Sequence, residues 1–167
     1  GNYDGAAHLR DQDLDGVDAA ALFPTVAIQV YAEQDRSYAL AVMRSYNDWL
    51  LEDFCSADPA RLVGLCLLPV DDGVDATVRE LERYLAKSAR AFFIPGCPQR
   101  PYFDRYYDPI WQACVGAGVS LAMHRNHGGM SGGREGVLRA HATLSVGHHV
   151  RVRMRMAVVV RHFEPRF

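Results

Sequence analysis

No run of about 18 uncharged apolar residues occurs in the chain, so the sequence offers no helix able to span a bilayer. Its opening Gly1-Asn2-Tyr3-Asp4 has neither the basic patch nor the apolar run of a secretory signal. Cysteine is scarce: Cys55, Cys66, Cys97 and Cys114 are the whole set, and none forms a C-x-x-C pair. That argues against a disulfide framework or a zinc knuckle, and for buried thiols in a reducing, cytoplasmic compartment. No G-x-S-x-G elbow is present, since Ser120 falls inside an apolar run and Ser131 among glycines, which removes support for a serine hydrolase. The glycine-rich stretch 128–133 lacks the lysine and spacing of a phosphate-binding loop. Asp11, Asp13, Asp15 and Asp18 lack the glycine and terminal glutamate of a calcium loop, and read as a solvated helix end.

What remains is an ordinary globular composition, 49% hydrophobic and 23% charged over 167 residues, enough for one substantial core. The net charge of −2 hides an asymmetry: residues 1–133 carry 11 basic and 18 acidic side chains, whereas 134–167 carry 7 and 2. The first part would repel a phosphate backbone. The tail alternates Val150, Arg151, Val152, Arg153, Met154, Arg155 and Met156, as an edge strand with one arginine face would. Three arginines without a nucleic-acid module make nucleic acid an unfavoured partner. The chain divides into a domain over 1–133 and a basic tail over 134–167, with a short helix near 135–145, packed on the same domain.

The apolar pattern predicts four helices alternating with four strands. A helix over 5–15 stops at Gly16, and a strand over 19–23 ends at Pro24. Residues 26–34 read as a loop with exposed apolar and aromatic side chains. Asp35 is placed to cap a helix from Arg36 to Cys55, with Leu40, Met43, Tyr46, Leu50, Leu51 and Phe54 at spacings of three or four. Leu62 to Leu68 is an apolar run without alternation, as expected of a strand covered on both faces. Asp71 or Asp72 can cap the next helix, which runs to about Ser88 with Val74, Val78, Leu81 and Leu85 on one stripe. Ala91 to Ile94 is a third strand; Pro109 to Ala117 is a helix capped by Asp108 and closed by Gly118; Val119 to Met123 is a fourth strand. Short buried strands separated by helices imply parallel crossovers.

In such folds chemistry gathers where strands end and βα loops begin. His124 directly follows the fourth strand and is the first candidate metal ligand; His127, beside the glycines, is the second. The ordinary alternative is a hydrogen-bonded strand-end histidine and a solvated one. His141, His148 and His149 could join a site only if the tail folds back, and an adjacent pair in a strand points to opposite faces. Tyr102, Phe103, Tyr106, Tyr107 and Trp111 sit in or beside the loop after the third strand, where they can line a pocket for a flat substrate or pack over the sheet end.

These landmarks resemble a known family. Asp15-Gly16-Val17-Asp18 leading to Leu22-Phe23-Pro24-Thr25, then Tyr46-Asn47-Asp48-Trp49, Phe54-Cys55, Pro59-Ala60-Arg61-Leu62 and Leu68-Pro69, resemble the second and third strand regions of the amidohydrolase-2 family. Tyr107-Asp108-Pro109-Ile110-Trp111, Gly118-Val119 and Met123-His124 resemble the helix and strand entering its metal centre. The group includes the aminocarboxymuconate-semialdehyde and resorcylate decarboxylases. The resemblance covers about 10–129. It implies a partial (β/α) barrel, strands two to five of eight, with His124 as the family's strand-five ligand to a divalent ion, zinc or manganese. It implies a metal-dependent hydrolase or nonoxidative decarboxylase of a small carboxylated, cyclic substrate. The family's first-strand H-x-H or E-x-H pair has no counterpart, and the 43 residues after His124 hold no recognisable strand-six histidine or strand-eight aspartate. The alternative expectation is therefore a noncatalytic half-barrel, acting through a second copy or a complementary subunit.

Overall fold

The computed structural model describes residues 3–124. His127, the short helix near 135–145, the arginine-faced strand and the division at residue 134 lie outside the described residues.

Helix α1, Gly5–Asp15, starts at Asp4, whose carboxylate accepts from the Ala7 N–H. It stops at Gly16, whose φ of 67° is the left-handed conformation that glycine adopts without a Cβ penalty. Strand β1 is short, Ala20–Leu22. The 26–34 segment is more ordered than its composition suggests: Ala27–Ala32 forms a 3₁₀ strap with Val30 buried and Val26 exposed. Asp35 then caps helix α2, Arg36–Trp49, accepting from the Ser37 and Tyr38 N–H groups as expected.

The helix expected to run to Cys55 keeps α geometry only to Trp49, widens into a π turn over Leu50–Phe54 and tightens into a 3₁₀ turn over Cys55–Ala57. The widened stretch is the part that packs against β2, Leu62–Leu67. Leu50, Phe54 and Cys55 all bury against Leu62, and Gly64 lets the helix in so closely that a Cβ there would lie 2.7 Å from Leu50. A side chain at 64 would push the helix away.

Helix α3 spans Val74–Leu85, β3 Ala91–Pro95, α4 Asp108–Ala117 and β4 Ser120–His124. The expected stripe on α3 is present, with Leu81 buried and Val74, Val78 and Leu85 packed beside it. Asp71 and Asp72 do not cap α3; they lie in a 3₁₀ turn, Val70–Asp72, with their carboxylates turned elsewhere, and Gly73 takes the cap position. Asp108 is the first residue of α4 rather than its cap, and Gly118 closes that helix in the left-handed conformation.

The four strands form one parallel sheet in the order β1-β2-β3-β4, a curled half-barrel. Cys66, Leu68, Phe92 and Ile94 pack on α3 and α4 through Leu81, Tyr84, Ile110 and Cys114. The opposite face, Leu65, Leu67, Ala91 and Phe93, lies under the strap and the first half of α2, against Val30, Ala39 and Met43. With both faces covered, the strands have no reason to alternate.

One join is made by a side chain. Strand β1 pairs with β2 only as far as Gly64, leaving the Leu67 backbone without a strand neighbour on that side. The buried Asn47 amide fills the gap: its Nδ2 donates to Leu67 O at 3.0 Å and its Oδ1 accepts from Leu67 N at 2.8 Å. It satisfies two buried backbone groups as another strand would.

Candidate functional site at the strand ends

The C-terminal ends of the four strands carry the candidate site. His124 ends β4 in register with Pro95 of β3. Alternation puts it on the same face as Ala122, which packs with Phe93 in the cluster under the strap. Its imidazole is exposed and stands 6.3 Å, ring to ring, from Phe23, which in turn meets Phe93 edge-on at 6.3 Å. The His124 carbonyl accepts from Gly96 N at 2.9 Å, fixing the backbone that carries the ring.

The strap is fastened to the same strand ends. The Tyr31 hydroxyl lies 3.0 Å from Leu68 O and 3.2 Å from Phe93 O, sharing its one proton between the ends of β2 and β3. Its ring leans on Phe93 at 6.1 Å. Burial pushes the phenol far above its ordinary pKa, so Tyr31 is a neutral donor throughout the working pH range. Arg36, at the start of α2, pairs through Nε with Asp72 at 2.6 Å and donates to Glu33 O at 3.2 Å. Its other terminal nitrogen, Nη2, is buried without a protein hydrogen-bond partner.

The aromatic set clusters, but chiefly with itself. Tyr102 and Tyr107 are buried, with ring centroids 5.1 Å apart, and Trp111 meets them at 5.6 and 5.9 Å. Their hydroxyls are committed, Tyr102 to Pro95 O at 2.8 Å and Tyr107 to Arg100 O at 3.3 Å. All three belong to the core that packs on α3 and α4. Phe103 and Tyr106 face solvent, at 58% and 38% exposure, and the Arg100 guanidinium lies 4.6 Å over the Tyr106 ring. Buried tyrosines thus anchor the segment between β3 and α4, and the Phe103 and Tyr106 rings are left at its surface.

Two residues that matter to this mouth are not legible as such in the sequence. Tyr31 lies in a stretch whose composition reads as loop, and only its place between two apolar runs hints at a fastening role. Asp71 accepts from Gln99 N at 3.0 Å, across to the segment after β3. The doubled aspartate is a signal of sorts, since one helix needs only one cap.

A divalent ion needs about three protein ligands, and among the described residues no group of three His, Cys, Asp or Glu side chains could hold one. The described residues therefore do not by themselves fit a metal centre; they offer one strand-end imidazole. Nor do the cysteines form such a group among the described residues: Cys97 is half-buried, and Cys55, Cys66 and Cys114 are buried, with Cys66 pushed up by burial to about 12 and Cys114 to about 11.

The fold has clear relatives. A 2,6-dihydroxybenzoate decarboxylase from Rhizobium superposes with a TM-score of 0.59 at 27% identity, over 70% of this chain and 38% of its own. A dihydroxybenzoic acid decarboxylase from Polaromonas sp. JS666, with bound manganese and the inhibitor 2-nitroresorcinol, gives 0.61 at 24%, over 72% and 38%. A 5-carboxyvanillate decarboxylase from Novosphingobium aromaticivorans DSM 12444, also with manganese, gives 0.59 at 24%, over 71% and 34%. The chain thus spans less than two-fifths of the length of these structures. No curated protein matches it. An amidohydrolase family model matches residues 4–161, continuing past the stretch of about 10–129 over which the resemblance runs. With that match over nearly its whole length, and a parallel half-barrel to go with it, the chain belongs to the amidohydrolase-2 family.

Proposed function

We propose that this chain supplies part of the active site of a metal-dependent decarboxylase or hydrolase of small carboxylated aromatic substrates. The observation that carries the reading is His124: an exposed imidazole at the C-terminal end of β4, held by the Gly96–His124 backbone bond and flanked by Phe23. In this reading His124 is one ligand of a manganese or zinc ion, His127 is a second candidate, and the other ligands come from outside residues 3–124. The ion, when bound, would polarise the substrate or activate water. Phe103 and Tyr106 would face a flat ring, while Tyr102, Tyr107 and Trp111 hold them in place. The two decarboxylases with bound manganese support the choice of ion, and the 2,6-dihydroxybenzoate decarboxylase supports the substrate class. Buried free thiols support a reducing, cytoplasmic setting, and among the described residues no helix is long and apolar enough to cross a membrane. Residues 1–133 would form one domain, with 134–167 packed on it.

The test is turnover of dihydroxybenzoates and carboxyvanillate by purified protein supplied with manganese or zinc, followed as carbon dioxide release. Turnover that disappears in His124→Ala supports the reading, and metal-loaded protein without turnover overturns its catalytic part.

A second reading rests on the sheet. Among the described residues β1 and β4 each have a strand neighbour on one side only, and such edges invite pairing. A noncatalytic half-barrel that works through assembly with a second copy or a complementary subunit would bury them. Light scattering after size exclusion tests self-assembly: a stable monomer argues against a second copy as the partner.

A further inference from the structure

The turn after β2 ties two other parts of the mouth together. Asp72 holds Arg36, and through it the strap carbonyl of Glu33. Its neighbour Asp71 reaches the other way, to the backbone N–H of Gln99 at 3.0 Å. The segment from β3 to α4 is fixed at Gly96, which donates to His124 O, and at Tyr102, which donates to Pro95 O. Gln99 lies between these anchors, beside Arg100, whose carbonyl accepts from the Tyr107 hydroxyl at 3.3 Å, and Asp71 ties the Gln99 backbone N–H itself.

We propose that Asp71 is a positioning residue that pins the segment between β3 and α4 over the strand ends, and that its ionisation sets how firmly the pin holds. Any consequence for substrate turnover rests on the function proposed above; the pin itself does not. The carboxylate form accepts the Gln99 N–H as a charge-assisted hydrogen bond, and the protonated form accepts it more weakly. The groups facing Asp71 are Asp72 on its own turn, Arg36 from α2, Tyr31 from the strap, and Tyr102 and Tyr107 from the pinned segment. Arg36 is the one cation among them, and it is already paired with Asp72. Burial therefore raises the Asp71 pKa above the ordinary 3.8, and the Gln99 N–H and Arg36 offset this only in part.

With the folded pKa raised, the contribution of Asp71 to stability is full below the ordinary carboxylate value and is lost as pH rises through the raised one. At neutral pH the charge strengthens the pin and weakens the fold. The substitution Asp71→Asn keeps an acceptor oxygen without the charge, so that variant should melt higher than the parent at neutral pH, with the difference closing towards acid.

The experiment is amide NMR of the whole chain across pH, with Asp71→Asn and Asp71→Ala. The Gln99 amide shift should titrate with the Asp71 carboxyl carbon, at a midpoint above the ordinary aspartate value. The Asp71→Asn variant should lose that step and exchange the Gln99 amide at a rate between those of the parent at neutral pH and Asp71→Ala. The Asp71→Ala variant should speed Gln99 exchange about tenfold, the loss of one charge-assisted hydrogen bond, while Gly96 stays protected as the control for folding. A Gln99 amide that does not titrate, or one whose step survives in Asp71→Asn, overturns the proposal. Should Asp71→Ala fail to fold, the Asp71→Asn variant alone decides. A chain without turnover that still shows the coupled titration would refute the proposed function and leave the pin standing.

Discussion

Replacing Asn47 by leucine tests the idea that one side chain substitutes for a missing strand. Asn47 is 1% exposed and makes both a donor and an acceptor bond to the Leu67 backbone. Leucine is close in size but can make neither bond. It leaves a buried N–H and a buried C=O unpaired, each costing about 1–3 kcal/mol. The added apolar burial returns about 1.5 kcal/mol, so the net loss should lie within about 0.5–4.5 kcal/mol and centre near about 2.5 kcal/mol, a sizeable part of the roughly 5–15 kcal/mol that holds a domain folded. Urea unfolding followed by circular dichroism reads it as a lower midpoint with an unchanged slope. Hydrogen exchange at Leu67 should rise out of proportion to the global loss. Asn47→Asp is the sharper control: it keeps the acceptor for Leu67 N–H but loses the donor and buries a charge, so it should be at least as harmful as leucine. A leucine variant within about 0.5 kcal/mol of the parent would mean that the Leu67 backbone finds other partners and the splayed join needs no plug.

Two smaller perturbations bear on the mouth and on α2. Tyr31→Phe removes the hydroxyl shared between Leu68 O and Phe93 O and keeps the ring on Phe93, so it should cost about 1 kcal/mol and raise amide exchange in Ala27–Ala32; unchanged exchange there would show that the strap is held by packing alone. Asp35→Ala removes the cap of α2, whose pKa is lowered by hydrogen bonds from Ser37 and Tyr38. A lowered folded pKa gives stability that is present above the ordinary value of 3.8 and fades below it. The variant should therefore melt lower at neutral pH and converge on the parent in acid, and a gap that persists at low pH would rule out an ionic origin.

The backbone plan was legible because the sequence marks it locally. Gly16 and Gly118 stop helices, Asp35 starts one, and Leu62 to Leu68 is apolar without alternation because α3 and α4 cover one face of the sheet and the strap and α2 the other. What escaped depends on contacts between distant residues. Nothing local announces that Asn47 on α2 completes the edge of β2, or that Gly64 leaves room for Leu50 where the helix widens. Asp71 and Asp72 have the right chemistry for a cap, and only the placement of Arg36 and Gln99 shows that they are spent on tying loops. The site divides in the same way. His124 is visible as a histidine ending an apolar strand, whereas the proposal that it is a ligand rests on family likeness, and the aromatic residues combine packing and exposure in one short segment.

The central claim, that His124 is a ligand in a metal-dependent site, is met most directly by metal analysis of the purified, unchelated chain beside His124→Ala. Plasma mass spectrometry should find manganese or zinc at close to one ion per chain in the parent and a large loss in a variant that still folds by circular dichroism. A folded parent without metal, or a metal content that His124→Ala leaves unchanged, would contradict the account.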